Sequence, residues 1–103
     1  MYSHDHQAEL LSYRRTIDNL DAALIHILAE RFRCTHKVGV LKAEYNLPET
    51  DPGREALQFT RFRDIGQSAG LDANFVEGFM RTIIAEVVRR HGEVKASHRM
   101  RPA

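Results

Sequence analysis

Three cations and a short charged cluster are the residues of this chain whose types suit chemistry on a small ligand. They are Arg14, Arg31 and Lys42, followed by the cluster Asp51-x-x-Arg54-Glu55. Guanidinium and ammonium groups are natural partners of carboxylates, so the set suits a small ligand that carries two of them. A helical protein has no structural need for so many long cations on inward-facing stripes, and the set therefore indicates a binding site.

Length and composition bound the kind of protein. At 103 residues the chain is predicted to be one domain with a modest core, and helical chains this short often complete their core by oligomerising. Its 15 Lys and Arg against 14 Asp and Glu leave it nearly neutral, which argues against a nucleic-acid binder. The basic residues from Arg89 to Arg101 are interpreted as a solvated tail rather than a phosphate site.

The single cysteine and the chain termini give expectations about compartment and cofactors. Cys34 falls on an apolar helical stripe and is predicted to be a small buried hydrophobe in a reducing compartment. There is no apolar run long enough to cross a membrane and no signal segment, so we expect a cytoplasmic protein without membrane contact. His4 and His6 lie on a polar terminus, and no metal or cofactor is expected.

Hydrophobic periodicity predicts an all-α fold with one long helix and two shorter ones. The first helix is expected from about Gln7 to Tyr45 and would be about 57 Å long at 1.5 Å per residue. Its apolar stripe repeats every seven residues in two interleaved series: Leu10, Ile17, Leu24 and Leu20, Ile27, Cys34, Leu41. A helix of that length exceeds the width of so small a domain, so half of it must find partner surface outside its own chain.

Capping residues delimit the two shorter helices. Asp51 and Pro52 suit the N-cap and first position of the second helix, which is expected to end near Gly70. Asp72 suits the N-cap of the third helix, whose apolar period continues to His91. Residues 1–6 and about 96–103 are predicted to be flexible tails of the single domain.

Helical geometry decides which cations of the first helix meet one ligand. Lys42 lies about 20° around the axis from Arg31 and about 16 Å along it, so the two can bracket a small metabolite. Arg14 lies about 25 Å from Arg31 and about 100° away, so it reaches such a site only from a second copy of the chain. The alternative is that each cation is a surface charge in a weak helix pair, and that Glu55 simply favours a helix first turn.

Several segments, in the right order and at the right intervals, carry a resemblance to a known family. They are Arg14-x-x-Ile17-x-x-Leu20-Asp21, Leu28-Ala29-Glu30-Arg31, Val38-Gly39-x-x-Lys42, Asp51-x-x-Arg54-Glu55 and Gly70-Leu71-Asp72-Ala73. Together they resemble the all-helical chorismate mutases, without a gap from about Leu10 to His91. Residues 70–78 are also similar to the isochorismate-pyruvate lyases, which share that fold.

The resemblance implies an intertwined homodimer of the chorismate mutase type II kind, with two active sites and paired first helices. Arg14 from the neighbouring chain, together with Arg31, would hold the two carboxylates of chorismate. Lys42 would bind a carboxylate and donate to the ether oxygen as the C–O bond breaks. The implied reaction is the pericyclic rearrangement of chorismate to prephenate, without metal or cofactor.

The remaining implied roles fall on the second and third helices. Asp51 and Glu55 would receive the ring hydroxyl, and Arg54 would complete the charged wall. This sequence departs from the family pattern at Val87, where many members have serine, and at His91, where they have a glutamine that donates to the ether oxygen. A histidine can donate that bond from a ring nitrogen, or it can simply favour the helix C-terminus.

A partner enzyme and three alternative functions are also considered for this chain. Some small mutases of this fold are weak alone and are activated by the first enzyme of the shikimate pathway, so such a partner is expected here. An isochorismate-pyruvate lyase would use the same anion clamp. A non-catalytic helical dimer, such as a regulatory module, would need none of the cations. A helix-turn-helix DNA binder is disfavoured by the near-neutral charge.

Overall fold

The computed structural model describes residues 5–49 and 51–100, and this part of the chain contains three helices and no strand. Helix α1 is His6–Glu44, α2 is Pro52–Ser68 and α3 is Ala73–Arg99. The prediction of an all-α fold with one long and two shorter helices is confirmed. His4, Thr50 and Arg101 lie outside the described residues. Within the described part, no helix is long and apolar enough to span a membrane.

Aspartate side chains begin all three helices. The Oδ1 atom of Asp51 accepts a hydrogen bond from the backbone N–H of Arg54 at 3.2 Å, with Pro52 at the first helical position. Asp72 accepts similarly from Phe75 at 3.1 Å, so both predicted caps are confirmed. Asp5 caps α1 in the same way and accepts from the N–H of Ala8 at 3.0 Å. Each cap pairs a backbone donor that the helix leaves without an intrahelical partner.

Left-handed residues end the first two helices. Asn46, at φ 50°, follows α1, and Gly70, at φ 80°, follows α2. In each case the next residue donates its N–H back into the last turn: Leu47 to the Lys42 carbonyl at 2.9 Å and Leu71 to the Gly66 carbonyl at 2.8 Å. These bonds satisfy carbonyls that the helix end exposes, and the first one folds the following loop back beside Lys42.

Helix α3 continues beyond the point where the tail was predicted to begin. It runs to Arg99, and Met100 caps it by donating its N–H to the carbonyls of Ala96 and His98. Pairs of opposite charge one turn apart support the preceding turns of the helix, because Arg89 contacts both Glu86 and Glu93. Residues 96–99 are therefore helical, and their flexibility stays a prediction.

The chain divides into two compact units between Cys34 and Thr35. In the first unit, the apolar stripe of α1 is exposed to solvent, from 47% for Leu10 to 68% for Ile27. Cys34 is also exposed, so the prediction that it is buried was wrong for the single chain. The periodicity correctly identified an apolar stripe, and the side chains of this stripe named above are exposed among the described residues.

In the second unit, α2 and α3 approach closely where Gly66 meets Val76. A Cβ atom on Gly66 would lie only 2.7 Å from the Val76 Cγ2 atom, so the absence of a side chain permits the contact. Beside it, Arg63 donates to the Asn74 side chain at 2.9 Å. Ala73 and Ile83 are the buried hydrophobic residues of the described part of the chain, at 7% and 8% exposure.

The Gly66 contact predicts opposite effects of one substitution at two helical glycines. We expect Gly66→Ala to lower the free energy of unfolding by roughly 1–3 kcal/mol, because the stiff β-branched Val76 cannot move aside. Gly78→Ala in α3 is the matched control, since a Cβ there meets no atom within 4 Å. This substitution should raise the free energy of unfolding by about 0.5–1 kcal/mol, because alanine has a higher helix propensity than glycine. Urea denaturation monitored by circular dichroism measures both, and equal effects would contradict the packing argument.

Candidate active site

Lys42 and His91 line the same pocket in the second unit, one from the last turn of α1 and one from α3. The pocket has a volume of about 170 Å³. Its wall also contains residues from the α1 end, the following loop and the end of α3: Gly39, Ala43, Asn46, Leu47, Glu49, Lys95, His98 and Arg99. Most of its titratable side chains are basic, which suits an anionic ligand.

Lys42 is half-buried, and its ammonium group is oriented by the loop that follows α1. Its Nζ atom donates to the main-chain carbonyl oxygen of Glu49 at 3.2 Å. The loop is held in place by the left-handed Asn46 and by the return hydrogen bond from Leu47 to Lys42. A lysine ammonium has three donors, so a ligand can use the others while this bond is kept.

His91 joins α3 to α1 through a side-chain-to-backbone hydrogen bond. Its Nε2 atom lies 2.8 Å from the carbonyl oxygen of Thr35. A carbonyl only accepts, so Nε2 carries the proton. The ring also lies directly against Gly39, where a Cβ atom would be 2.6 Å from the His91 Cδ2 atom. Gly39 is thus required here for a close approach of side chain to helix backbone.

This hydrogen bond restricts how His91 can act on a ligand. With Nε2 donating to Thr35, the ring nitrogen left for another partner is Nδ1. In the neutral ring, Nδ1 is then an acceptor, and it becomes a donor only in the imidazolium form. The proposed donation from His91 to an oxygen atom therefore requires the cationic ring or the loss of the Thr35 bond.

Arg14 and Arg31 belong to the first unit. Arg14 is exposed and lines a shallow surface depression with Gln7, Leu10 and Leu11. Arg31 is half-buried, and its Nη1 atom is buried without a hydrogen-bond partner among the described residues. A buried donor without an acceptor costs about 1–3 kcal/mol, and more for a charged group. Arg31 is therefore positioned to gain from an anionic partner.

The other residues predicted for the site do not line this pocket. Asp51 and Arg54 are exposed at the start of α2, where they form the helix cap, and Glu55 is half-buried in the same turn. Val87 is half-buried on α3, one turn before His91. The second unit thus brings Lys42 and His91 together in one pocket. The roles of Asp51, Arg54, Glu55 and Val87 stay predictions.

Sequence reasoning missed the contribution of the end of α3 to the pocket. Lys95 and Arg99 were interpreted as part of a solvated tail, but both line the pocket wall, and Lys95 pairs with Glu49 at 3.1 Å. The available signal was helical spacing, since residues 95 and 99 follow His91 at intervals of four and lie on one face. The flexible, solvated tail stays a prediction, but its basic residues do not all share one environment, since Lys95 and Arg99 face the pocket.

The charges on the opposite side of α3 are paired with each other. Hydrogen bonds from Arg89, and then from Arg90, lower the pKa of Glu86 from 4.5 to about 2. The same contact with Glu86 raises the pKa of Arg89 above its ordinary value. Glu86 therefore stays ionised near neutral pH, and a pH effect on the pocket in that range would not come from it.

Comparisons with known proteins agree with the resemblance. The family model described as chorismate mutase type II matches residues 13–92. The chain is 34% identical over 79 residues to the T-protein of Enterobacter agglomerans, covering 77% of this chain and 21% of that protein. It is 29% identical over 80 residues to the bifunctional chorismate mutase/prephenate dehydratase of Buchnera aphidicola, covering 78% of this chain and 21% of that protein.

A shorter relative is similar to the chain over more of its own length. The chorismate mutase of Methanocaldococcus jannaschii is 29% identical over 66 residues, which are 64% of this chain and 67% of that protein. The chain thus spans about a fifth of the two longer relatives and two thirds of this one. None of the three names refers to an isochorismate-pyruvate lyase, the branch suggested by residues 70–78.

The Thr35 contact predicts the protonation pattern of the His91 ring. In the neutral ring we expect the proton on Nε2. This proton should exchange slowly with water, because it is hydrogen-bonded to a helix carbonyl. Both properties can be measured by ¹⁵N NMR of the imidazole. Gly39→Ala should displace the ring and abolish the slow exchange. Gly92→Ala, beside His91 but with no atom within 4 Å of the added Cβ, should leave it unchanged. A neutral ring protonated on Nδ1 would contradict this arrangement.

Proposed function

We propose that this chain, which belongs to the chorismate mutase type II family, catalyses the rearrangement of chorismate to prephenate. The observation that carries the proposal is that Lys42 and His91 line one pocket and both fall within the matched residues 13–92. Formation of prephenate would place the chain in the synthesis of phenylalanine and tyrosine. We further propose that it acts in the cytoplasm.

The reaction requires a site that positions the substrate and that donates hydrogen bonds to one of its oxygen atoms. Within one molecule a C–O bond breaks as a C–C bond forms, so no group leaves and no covalent intermediate is needed. A site accelerates such a step by holding the substrate compact and by placing donors where negative charge grows on the ether oxygen. Cations that bind the two carboxylates serve the first purpose, and fixed N–H groups serve the second.

Lys42 is suited to both purposes. Its bond to the Glu49 carbonyl fixes the direction of the ammonium group and leaves donors for a carboxylate and for the ether oxygen. Half-burial strengthens these interactions relative to a lysine in open solvent. We assign Lys42 as the principal catalytic residue.

His91 is proposed as the second donor to the ether oxygen. Because Nε2 is engaged with Thr35, the donation would come from Nδ1 of the imidazolium. A charge-assisted bond of this kind is stronger than that of a neutral amide, so the imidazolium form of His91 can replace the family glutamine. The apolar Val87 adds no donor one turn earlier.

The carboxylates of the substrate are assigned to arginines. Arg31 has a buried nitrogen without a hydrogen-bond partner in the described part of the chain, and a substrate carboxylate would satisfy it. Arg14 is proposed to come from the second chain of a homodimer. The exposed apolar stripe of α1 supports the dimer, because a second copy would bury it.

The start of α2 is proposed to bind the ring hydroxyl. Asp51 and Glu55 would accept from it through backbone and side chain, and Arg54 would complete the charged wall. One oxygen of Asp51 already caps the helix, which fixes this turn. With Val87 and His91 in place of the family pattern, we also propose that a complex with the first enzyme of the shikimate pathway raises the activity.

Loss of Lys42 should reduce turnover far more than substrate affinity. We expect Lys42→Ala to lower kcat by roughly two orders of magnitude or more, as removal of an oxyanion donor does. Lys42→Arg should not restore it, because the planar guanidinium places its donors differently. The measurement is the decrease of chorismate ultraviolet absorbance.

Two comparisons make this test decisive. Lys37→Ala, an exposed lysine on α1 that does not line the pocket, should keep normal turnover. Near-normal turnover in Lys42→Ala would contradict the assignment. Release of pyruvate from isochorismate faster than conversion of chorismate would make the chain a lyase instead.

Mixing inactive variants tests whether the site is shared between chains. We expect Arg14→Ala and Arg31→Ala chains to regain activity after mixing and refolding, because a heterodimer has one intact site. Random exchange puts about half of the chains in heterodimers, so about a quarter of wild-type activity should return.

A second mixture controls for nonspecific recovery. Arg31→Ala with Lys42→Ala should regain nothing, because both residues come from the same chain of each site and every site stays defective. A folded monomer in light scattering, or equal recovery in the two mixtures, would contradict a shared site.

A further inference from the structure

We infer that Lys95 is a further substrate-binding residue of this pocket, and that Glu49 occupies it in the isolated chain as a stand-in for a substrate carboxylate. The inference rests on the proposed function. It gives the end of α3 a role in binding that the family resemblance does not imply.

Glu49 contacts both ammonium groups of the pocket. Its Oε1 atom lies 3.1 Å from Lys95 Nζ, and its main-chain carbonyl accepts from Lys42 Nζ at 3.2 Å. Lys95 follows His91 by one helical turn, so both project from the same face of α3. The Glu49 carboxylate thus lies where an anionic ligand held by Lys42 and His91 would also come within reach of Lys95.

The balance of charge in the pocket favours this exchange. Lys42, Lys95 and Arg99 are cationic, while Glu49 is the only carboxylate among the described residues of the wall. Once Glu49 turns away, three cations face the ligand without an acidic partner from the wall, which suits a doubly anionic substrate.

The pair itself is exposed enough to exchange partners. The side chains of Lys95 and Glu49 are 35% and 46% exposed, and ion pairs this accessible to solvent contribute little to stability. A substrate carboxylate can therefore replace Glu49 on Lys95 at small cost. Glu49 then acts as an intramolecular competitor and weakens binding of the substrate.

A purely structural role for the pair makes a different forecast. If the ion pair only fixed the loop after α1, removing either partner would disturb Lys42 in the same way, and both changes would weaken binding. Competition predicts KM changes of opposite sign. Removing Lys95 removes a group that binds substrate and raises KM, whereas neutralising Glu49 removes a competitor and lowers KM.

The test measures KM and kcat for chorismate in single and double variants. Lys95→Ala and Lys95→Gln should raise KM by roughly three- to tenfold with a smaller change in kcat, the loss of one charge-assisted contact. Glu49→Gln keeps the main-chain carbonyl that orients Lys42, and it should lower KM by roughly two- to fivefold. In the double variant Glu49→Gln/Lys95→Ala the decrease in KM should disappear, because the lysine that Glu49 would otherwise release is absent.

Arg89→Ala is the matched control, since it also removes an ion-paired cation from α3 but does not line the pocket. Its KM should equal that of the wild type. A raised KM in Glu49→Gln, or an unchanged KM in both Lys95 variants, would overturn the inference while leaving the mutase activity standing. Failure of the wild type to convert chorismate would instead remove the proposed function, and the inference with it.

Discussion

The long helix α1 carries an apolar stripe that is exposed in the described part of the chain, and most of the proposed biology depends on that fact. Among the described residues, the buried hydrophobic side chains are Ala73 and Ile83, which belong to the second unit. Ile27 on the stripe is instead 68% exposed. Burial of apolar surface is the main favourable term in folding, and we propose that a second chain supplies the surface that covers this stripe. The same partner would supply Arg14 to the site.

Within the second unit, the contact between His91 and α1 decides the shape of the pocket. The ring fits only because Gly39 has no side chain, and its bond to Thr35 fixes which nitrogen carries the proton. This one contact places α3 beside Lys42 and at the same time limits the chemistry open to the histidine. The structural contact uses Nε2 of the ring, and the proposed catalytic role is therefore left to Nδ1.

Electrostatics divide α3 into two faces with different purposes. On one face, Arg89 and Glu86 satisfy each other within the helix, and the pKa of Glu86 falls to about 2. On the other face, Lys95 has its acidic partner on the loop after α1, where Glu49 also orients Lys42. Charges paired within a helix stabilise it locally, whereas charges paired across elements can exchange their partner for a ligand.

The sequence by itself determined the helices, their caps and the apolar stripe, because these depend on residues a few positions apart. Asp51, Asp72 and Gly70 act as predicted, since capping and left-handed turns are set locally. Only the tertiary structure decided that Cys34 is exposed, that Lys95 lines the pocket and that His91 donates to Thr35. The last contact joins residues 56 positions apart, and periodicity along one helix does not specify which groups of another helix lie against it.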